Sequence, residues 1–189
     1  MSDDDLYIGP TVLEPGPREP FNSDHLARWV VVPLIVALTA LILVLYIFFS
    51  TAVVDGDSMA PTLVNGDYLL LTHGDPAPRK GDVVVTRVLD NGLFVELVKR
   101  VIAVPGDTVE VRNDVAIVNG VPEPARGQVV DPTYSVSRSR QVIASGYIYV
   151  MGDNRPISED SRYLGPVAIS GIKGKAVFIF APITHVRTL

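Results

Sequence analysis

The chain has 189 residues, a formal net charge of −5 at pH 7 and no cysteine. Without cysteine there is no disulfide, no cysteine nucleophile and no thiolate metal ligand. The net negative charge is not typical of nucleic-acid binders, which carry basic patches. The three histidines, His25, His73 and His185, lie too far apart in sequence for a zinc motif. We therefore predict neither a metal nor a cofactor.

The first 28 residues are acidic and rich in proline and glycine, with Asp3, Asp4 and Asp5 in a row. A segment of this composition buries too little apolar surface to offset the conformational entropy that folding costs. We therefore predict that residues 1–28 form a disordered tail.

A long apolar segment follows the tail, with no charged residue from Trp29 to Val54. Its centre, residues 30–49, has the roughly 20 residues that an α-helix needs to cross the hydrocarbon core of a bilayer. This length and composition predict one transmembrane helix over residues 29–52.

The basic residues on the two sides of this helix are unequal. Arg18 and Arg28 precede it, and no lysine or arginine follows it until Arg79. Positively charged flanks favour the cytoplasmic side. We therefore predict a cytoplasmic N-terminus, a location in the cell membrane and an extracytoplasmic domain over residues 53–189.

Two other interpretations of the apolar segment are open. Ser50, Thr51 and Ala52 form a small-x-small pattern like that of a signal-peptide cleavage site, and self-cleavage near Ala52 is not decided by the sequence. However, the leader is long and acidic, and the apolar stretch exceeds the 7–15 residues of a signal-peptide core. A buried core helix would need a larger protein around it.

After the helix the pattern is β-like, because β-branched and alternating runs are separated by turn residues such as Asn65 and Gly66. The polar segment 122–146 predicts an exposed excursion, either a surface loop or a binding element. The fold class is therefore mainly β, an antiparallel core with a smaller β excursion over about 107–147, preceded by one N-terminal transmembrane helix. The predicted strands are 68–72, 82–86, 93–98, 108–112, 115–118, 147–151 and 176–180.

The first motif that can take part in catalysis surrounds Ser58, which follows Gly56 and precedes Pro61. Glycine takes backbone angles closed to other residues, and proline stiffens the chain after it. Such a turn can hold a hydroxyl in place with backbone N–H groups nearby. Taken alone, the motif is equally compatible with a purely structural turn.

The second motif begins at Lys99, which ends a strand-like run and shares a strand face with Val95 and Leu97. Burial disfavours the charged ammonium and lowers the lysine pKa, so that a neutral amine can accept a proton. The alternative is a lysine that extends to solvent from the strand end while Arg100 occupies the other face.

Two further motifs lie on either side of the Lys99 motif. Residues 152–162 follow a predicted strand and are dense in hydrogen-bonding groups, and loops positioned by a sheet often build a site. The alternative is a solvated turn. Residues 81–85 form a turn leading into a strand, whose simplest interpretation is structural.

In this order after a single span, the four motifs resemble those of bacterial signal peptidase I over the span and most of residues 53–180. The resemblance implies a membrane-bound serine endopeptidase that removes N-terminal signal peptides by acyl transfer. It implies that Ser58 is the nucleophile, that Lys99 is the general base and that Ser158 orients the lysine. The residues implied to hold the site together are Asp153, Asp160, Arg162 and Arg100, the last paired with one of the acids.

The sequence departs from some Gram-negative members at Gly56, where they carry a serine whose hydroxyl helps to form the oxyanion hole. This Gram-positive-like pattern implies a hole built from backbone N–H groups, chiefly that of Ser58, with the second donor undetermined. The apolar residues beside the two catalytic motifs predict shallow pockets for small side chains such as those of Ala-x-Ala. These residues are Val54, Met59, Leu63, Leu97 and Val98.

The resemblance also implies partners: signal-peptide-bearing preproteins, membrane lipid and the secretion translocon, with no nucleic acid. Two other functions are considered. A self-processing or regulatory Ser/Lys protease of the SOS-repressor kind would be soluble and carry a DNA-binding domain, which the span argues against. A catalytically inactive, membrane-tethered binding module would not need Ser58, Lys99 and Ser158 together.

Overall fold

A computed structural model describes Gly16 and residues 27–73, 77–90, 92–124 and 127–189. The predicted tail, residues 1–28, therefore lies almost wholly outside the described residues. The chain divides into two compact units, Met1–Ile42 and Leu43–Leu189.

The apolar segment is helical from Ala27 to Phe48, with mean hydropathy 3.0 and no residue buried against protein. A π-helical turn, Ala27–Val31, leads into helix α1, Val32–Phe48. At 1.5 Å per residue, the 22 helical residues Ala27–Phe48 measure about 33 Å, enough to cross a membrane.

The helix ends four residues before the predicted end of the span at residue 52. Phe49–Val53 instead forms strand β1, which pairs along its whole length with Tyr68–Thr72. The hydropathy of these residues fits either structure, and the strand forms because a partner strand supplies its backbone hydrogen bonds. That partner is not visible in the local sequence.

The main sheet has the strand order β1-β2-β11-β3-β4-β9-β10, with β12 added to β11, and every pair in it is antiparallel. Its strands after β1 are β2 (Tyr68–Thr72), β3 (Val83–Asp90), β4 (Leu93–Ala103), β9 (Tyr147–Met151), β10 (Val167–Ala168), β11 (Ile172–Ala181) and β12 (Arg187–Thr188).

A second, four-stranded antiparallel sheet, called the small sheet below, has the order β7-β6-β5-β8. Its strands are β5 (Thr108–Arg112), β6 (Val115–Val118), β7 (Val121–Pro122) and β8 (Arg138–Val142). The other elements are short: helix α2 (Ser161–Leu164) and the 3₁₀ turns Arg155–Ile157, Ile169–Gly171 and Ile183–His185.

The mainly β fold class is confirmed, and four predicted strands have the observed bounds: 68–72, 108–112, 115–118 and 147–151. Strands β3, β4 and β11 are longer than predicted, because ladder pairing continues where the sequence pattern weakens. Strand β8 was missed: Arg138–Val142 is mostly exposed and polar, so it lacks the apolar alternation that marks a strand.

The strands bury apolar side chains on both faces of the main sheet. Val83 and Val85 face one cluster, which Met59 and Leu63 complete. Val84, between them in sequence, faces the opposite cluster together with Val101, as the two-residue period of a strand requires. A third cluster joins the small sheet to the ends of β4 and β9.

Candidate active site

Ser58 lies on the loop between β1 and β2, residues 54–67, called the Ser58 loop below. The loop is closed at its neck, where Val54 N donates to Asp67 O (2.9 Å) and Gly66 N donates to Val54 O (2.9 Å). Within the loop, Met59 and Leu63 are buried and anchor it to the core. These contacts fix the half-buried Ser58 against the main sheet.

Gly56 stands two residues before Ser58 with φ of +90°, in the left-handed region that side chains disfavour. A Cβ at this position would meet no atom within 4 Å, so space does not demand glycine here. The backbone angle does, and Gly56 allows the chain to turn into the Ser58 segment. Gly56 N donates to Asn65 Oδ1 at 3.0 Å, across the loop.

Lys99 lies inside β4, and its Nζ donates a 2.7 Å hydrogen bond to Ser58 Oγ. Strand β9 pairs with β4 only as far as Met151, opposite Arg100, and then leaves the sheet. The Ser58 loop is held beside the chain that follows β9, where Asn154 N donates to Ser58 O at 3.0 Å. The end of β9 therefore leaves room at Lys99 for the serine.

The side chain environment of Lys99 favours the neutral amine. The residue is 3% exposed, which excludes a lysine that extends to solvent from the strand. Burial lowers the pKa of Lys99; the nearby carboxylates of Asp160 and Glu159 oppose this, and Arg162 adds to it. The net direction is downward, as a proton acceptor requires.

Gly152 explains how the Ser58 loop and the 152–162 segment approach so closely. A Cβ on Gly152 would lie 2.2 Å from Ser158 Oγ and 2.4 Å from Ser58 O, closer than real atoms come. Only glycine fits between the two serines. Sequence reasoning identified the motif but not this residue, because the need arises from a contact 94 positions away (152 against 58).

Ser158 is 3% exposed, and its Oγ donates a 2.7 Å hydrogen bond to Asp160 Oδ2. The same oxygen accepts from Gly152 N at 3.0 Å. Ser158 is thus tied to the carboxylate whose charge acts on Lys99. Its role in orienting the lysine remains a prediction.

Arg100 pairs with Asp153, one of the acids that the sequence offered as partners. Arg100 Nε donates to Oδ1 (2.8 Å) and Nη2 to Oδ2 (2.5 Å), both groups being buried. Thr62 Oγ1 donates to the same Asp153 Oδ2 at 2.5 Å. The pair therefore links β4, the 152–162 segment and the Ser58 loop, and Thr62 is a member that sequence reasoning missed.

Asp160 and Arg162 form a buried ion pair within the segment, with Arg162 Nε 2.9 Å from Asp160 Oδ1. Asp160 also caps α2, since Oδ1 accepts from Arg162 N at 3.1 Å. Sequence reasoning missed Arg155, which is 1% exposed and donates from Nε to Gly152 O at 2.8 Å. A fully buried arginine has no local sequence signal.

The structure brings four of the predicted pocket residues into one cluster. Val54, Met59 and Leu63 are buried there, with Val98 packed against them. Leu97, which is half-buried, lies two positions from Lys99 and so on the lysine's face of β4. Their contact with substrate stays a prediction. In the described part of the chain, no group of three or more His, Cys, Asp or Glu side chains is placed to hold a metal ion.

A serine hydroxyl bonded to a buried lysine of lowered pKa defines a class, the serine hydrolases that use a lysine in place of histidine. Comparison with known families is more specific: residues 26–181 match the family model described as signal peptidase, peptidase S26. The chain belongs to this family.

Curated relatives match over most of their length. The probable signal peptidase I-1 of Synechocystis sp. is 35% identical over 79% of this chain and 80% of its own. Signal peptidase I S of Bacillus subtilis is 33% identical over 82% and 89%. A crystal structure of a signal peptidase I from Enterococcus faecalis matches with a TM-score of 0.43 and 28% identity, covering 52% of this chain and 95% of that one.

Proposed function

We propose that this membrane-anchored peptidase removes N-terminal signal peptides from exported preproteins, with Ser58 as nucleophile and Lys99 as general base. The observation that carries the residue assignment is the 2.7 Å hydrogen bond from Lys99 Nζ to Ser58 Oγ at a buried lysine. The substrate class follows from the family to which the chain belongs.

The reaction is acyl transfer to the serine. Neutral Lys99 takes the proton of Ser58 Oγ as this oxygen attacks the carbonyl carbon of the scissile peptide bond. Backbone N–H groups, chiefly that of Ser58, stabilise the oxyanion, and one such donor contributes about 2.7–4 kcal/mol in a comparable protease. The protonated Lys99 then gives its proton to the leaving amine of the mature protein.

The second half of the reaction releases the signal peptide. Lys99, neutral again, takes a proton from water, which attacks the ester carbonyl and displaces Ser58 Oγ. The lysine returns the proton to the serine. Arg100, Asp153, Asp160 and Arg162 are buried. Arg100 and Asp153 join the Ser58 loop to the 152–162 segment through Thr62, while Asp160 and Arg162 pair within that segment.

We assign substrate choice to the apolar cluster behind the serine. An extended peptide can add as a strand between the segments that precede Ser58 and Lys99, so that alternate side chains face the enzyme. Val54, Met59, Leu63 and Val98 pack together in that region of the core, and Leu97 lies on the lysine's face of β4, so we expect room for small residues only. Replacing the Ala at the cut by Phe should nearly stop cleavage, whereas equal rates would contradict shallow pockets.

The helix Ala27–Phe48 provides the membrane anchor. We further assign the N-terminus to the cytoplasm and residues 53–189 to the outer side of the cell membrane, next to lipid and the secretion translocon. Arg18, which precedes the helix in sequence, and Arg28, its second residue, support this orientation. Protease added to spheroplasts should digest the C-terminal domain. Protection of this domain would indicate the opposite orientation.

The decisive test is cleavage of a purified preprotein by the full chain in detergent. The parent should release the mature protein, and the Ser58→Ala variant should not. N-terminal sequencing of the product locates the cut. Binding of the preprotein by the parent without cleavage would identify an inactive binding module instead.

A further inference from the structure

Two acids of the small sheet lie against the 152–162 segment. Asp114 is 1% exposed and lies in the turn between β5 and β6, and Glu123 directly follows β7. Neither belongs to the motifs from which the site was predicted. Their contacts are made with the two buried arginines of the segment, Arg155 and Arg162.

The turn that carries Asp114 is rigid. Arg112 pairs with Val115 across the hairpin, so Asn113 and Asp114 form a two-residue connection. Both residues have positive φ, 48° and 65°, as the favoured two-residue hairpin turn requires. Asp114 Oδ1 also accepts from Val136 N at 3.1 Å. The small sheet therefore fixes the position of this carboxylate.

From Asp114 a continuous set of contacts leads to Ser158. Arg162 Nη1 is in contact with Asp114 Oδ1, while its Nε and Nη2 each donate to Asp160 at 2.9 Å. Asp160 Oδ2 in turn accepts from Ser158 Oγ. Both Asp160 and Arg162 act on the pKa of Lys99, with opposite signs.

Glu123 provides a second, parallel connection. Its Oε1 lies 2.6 Å from Arg155 Nη1, and it is held by Ala116 N at 3.1 Å. Arg155 Nη1 also donates to the backbone carbonyl of Asp114. Through Nε, Arg155 reaches Gly152 O, on the glycine that separates Ser58 from Ser158.

The charge balance shows why the segment depends on the small sheet. Its two arginines are 1% and 2% exposed, and a buried guanidinium needs a carboxylate partner. Within the segment, Asp153 is occupied by Arg100 and Glu159 is exposed, which leaves Asp160 for Arg162. The remaining negative charges, those of Asp114 and Glu123, come from the small sheet.

We propose that Asp114 and Glu123 are positioning residues for the peptidase reaction. Through them the small sheet holds the 152–162 segment, and with it Ser158 and Asp160, in position relative to Lys99. The inference rests on the peptidase activity proposed above. It assigns the small sheet a part in catalysis, although none of its strands carries a residue of the Ser58–Lys99 pair.

The experiment compares Asp114→Asn and Glu123→Gln with Glu110→Gln in the full chain. Asn keeps the size of Asp and tolerates a positive φ, so the turn is retained. Glu110 is the matched control, since it lies on β5 of the same sheet and pairs with Arg112 at 2.6 Å, an arginine that is 66% exposed. Its substitution removes the same charge without touching the 152–162 segment.

Asp114→Asn and Glu123→Gln should lower kcat per folded molecule by about 10- to 100-fold with KM little changed, as a small displacement of catalytic groups does. Amide exchange should rise in residues 152–162. The acid limb of the kcat–pH profile should also move, because the charges of Asp160 and Arg162, which act on Lys99, are displaced. Glu110→Gln should resemble the parent in all three measurements. Glu123→Asp, which keeps the charge, should recover much of the loss.

A kcat per folded molecule equal to that of the parent, with an unmoved pH limb, would overturn the inference, even if both variants were less stable. If Asp114→Asn fails to fold, the more accessible Glu123→Gln decides the question by the same measurements. An inactive parent would contradict the peptidase activity itself, whereas an active parent with unaffected variants contradicts only the role of the small sheet.

Discussion

Lys99 and Arg100 are neighbours in β4, but they lie on opposite faces of the strand and have different partners. Arg100 is buried on one face against Asp153, with two hydrogen bonds to the carboxylate. Lys99 is buried on the other face, and its hydrogen bond is to the neutral hydroxyl of Ser58. Among the described residues, no carboxylate lies within ion-pair distance of Lys99.

The difference supports the proposed roles of the two residues, with Arg100 as a structural cation and Lys99 as the general base. A carboxylate beside a buried cation favours its charged form, whereas burial alone favours the neutral form. Arg100 ties three segments together through its ion pair, while the pKa of Lys99 falls because burial outweighs the more distant Asp160 and Glu159. Because successive residues of a strand point to opposite faces, Lys99 and Arg100 differ in environment although they are adjacent in sequence.

The largest effect is expected from removing either member of the Ser58–Lys99 pair. Ser58→Ala and Lys99→Ala should each lower turnover by about 10⁴-fold or more while the protein stays folded, and the double variant should lose no more than the singles. Preprotein cleavage rates and circular dichroism check this. Either variant retaining about a tenth of the parent rate would refute the assignment. Ser158→Ala should be milder, because it leaves the base in place.

The comparison across β4 also predicts opposite changes in stability. Arg100→Met should lower the free energy of unfolding by about 3–5 kcal/mol, because it leaves Asp153 buried without its cation. Lys99→Met should raise it, since methionine is not forced to lose a charge on burial. Urea unfolding of both variants provides the measurement, and a Lys99→Met protein less stable than the parent would show that the lysine is charged and paired.

The Lys99→Met gain should depend on pH, and its sign follows from the lowered pKa. Between the folded and the unfolded pKa of Lys99 the unfolded chain binds more protons, so the parent becomes more stable as pH rises. The advantage of Lys99→Met should accordingly shrink as pH increases, by about 1.4 kcal/mol for each unit of pKa difference.

A smaller loss is expected at Gly152, where the contact between the two serine segments can be tested directly. Gly152→Ala should reduce kcat by about 100-fold, because the new methyl group must push Ser58 and Ser158 apart by an ångström or so. Gly171→Ala is the control: its Cβ would lie 2.6 Å from Arg87 O, an overlap with backbone that is less severe than at Gly152 and away from the pair. If both variants lose stability but keep the parent kcat per folded molecule, Gly152 matters only for folding.

The sequence allowed much of this arrangement to be predicted, and the exceptions have a common cause. The strands 68–72 and 147–151 were found because their residues are β-branched or apolar along the whole ladder. Strand β1 was assigned to the span because its partner β2 lies outside its local sequence, and β8 was missed because it is mostly exposed and polar. Local patterns report the periodicity of an element but not the strand with which it pairs.

The same limit applies to the site. Ser58 and Lys99 were chosen from their motifs, and the acid that Arg100 would bind was left open between Asp153 and Asp160. Thr62, Arg155, Asp114 and Glu123 carry no local signal, since a buried polar residue is recognised only by its partners. Gly152 could have been suspected from its motif, but the reason for it, two serines on one side of its α-carbon, exists only in the folded chain.

The smallest expected effect is the pH dependence of cleavage by the parent, and it tests the central difference between Lys99 and Arg100. If Lys99 is the base, kcat/KM should rise with pH as the amine loses its proton, with an apparent pKa below the unperturbed value of about 10.4. The cause is burial, which outweighs the opposing field of Asp160 and Glu159. Asp160→Asn is informative here, because removing the negative charge that most opposes the fall of the Lys99 pKa should move the limb to still lower pH in any variant that folds. A parent profile that climbs without a plateau above about pH 10 would mean that Lys99 is solvated like an ordinary lysine, and the two faces of β4 would then not differ as proposed.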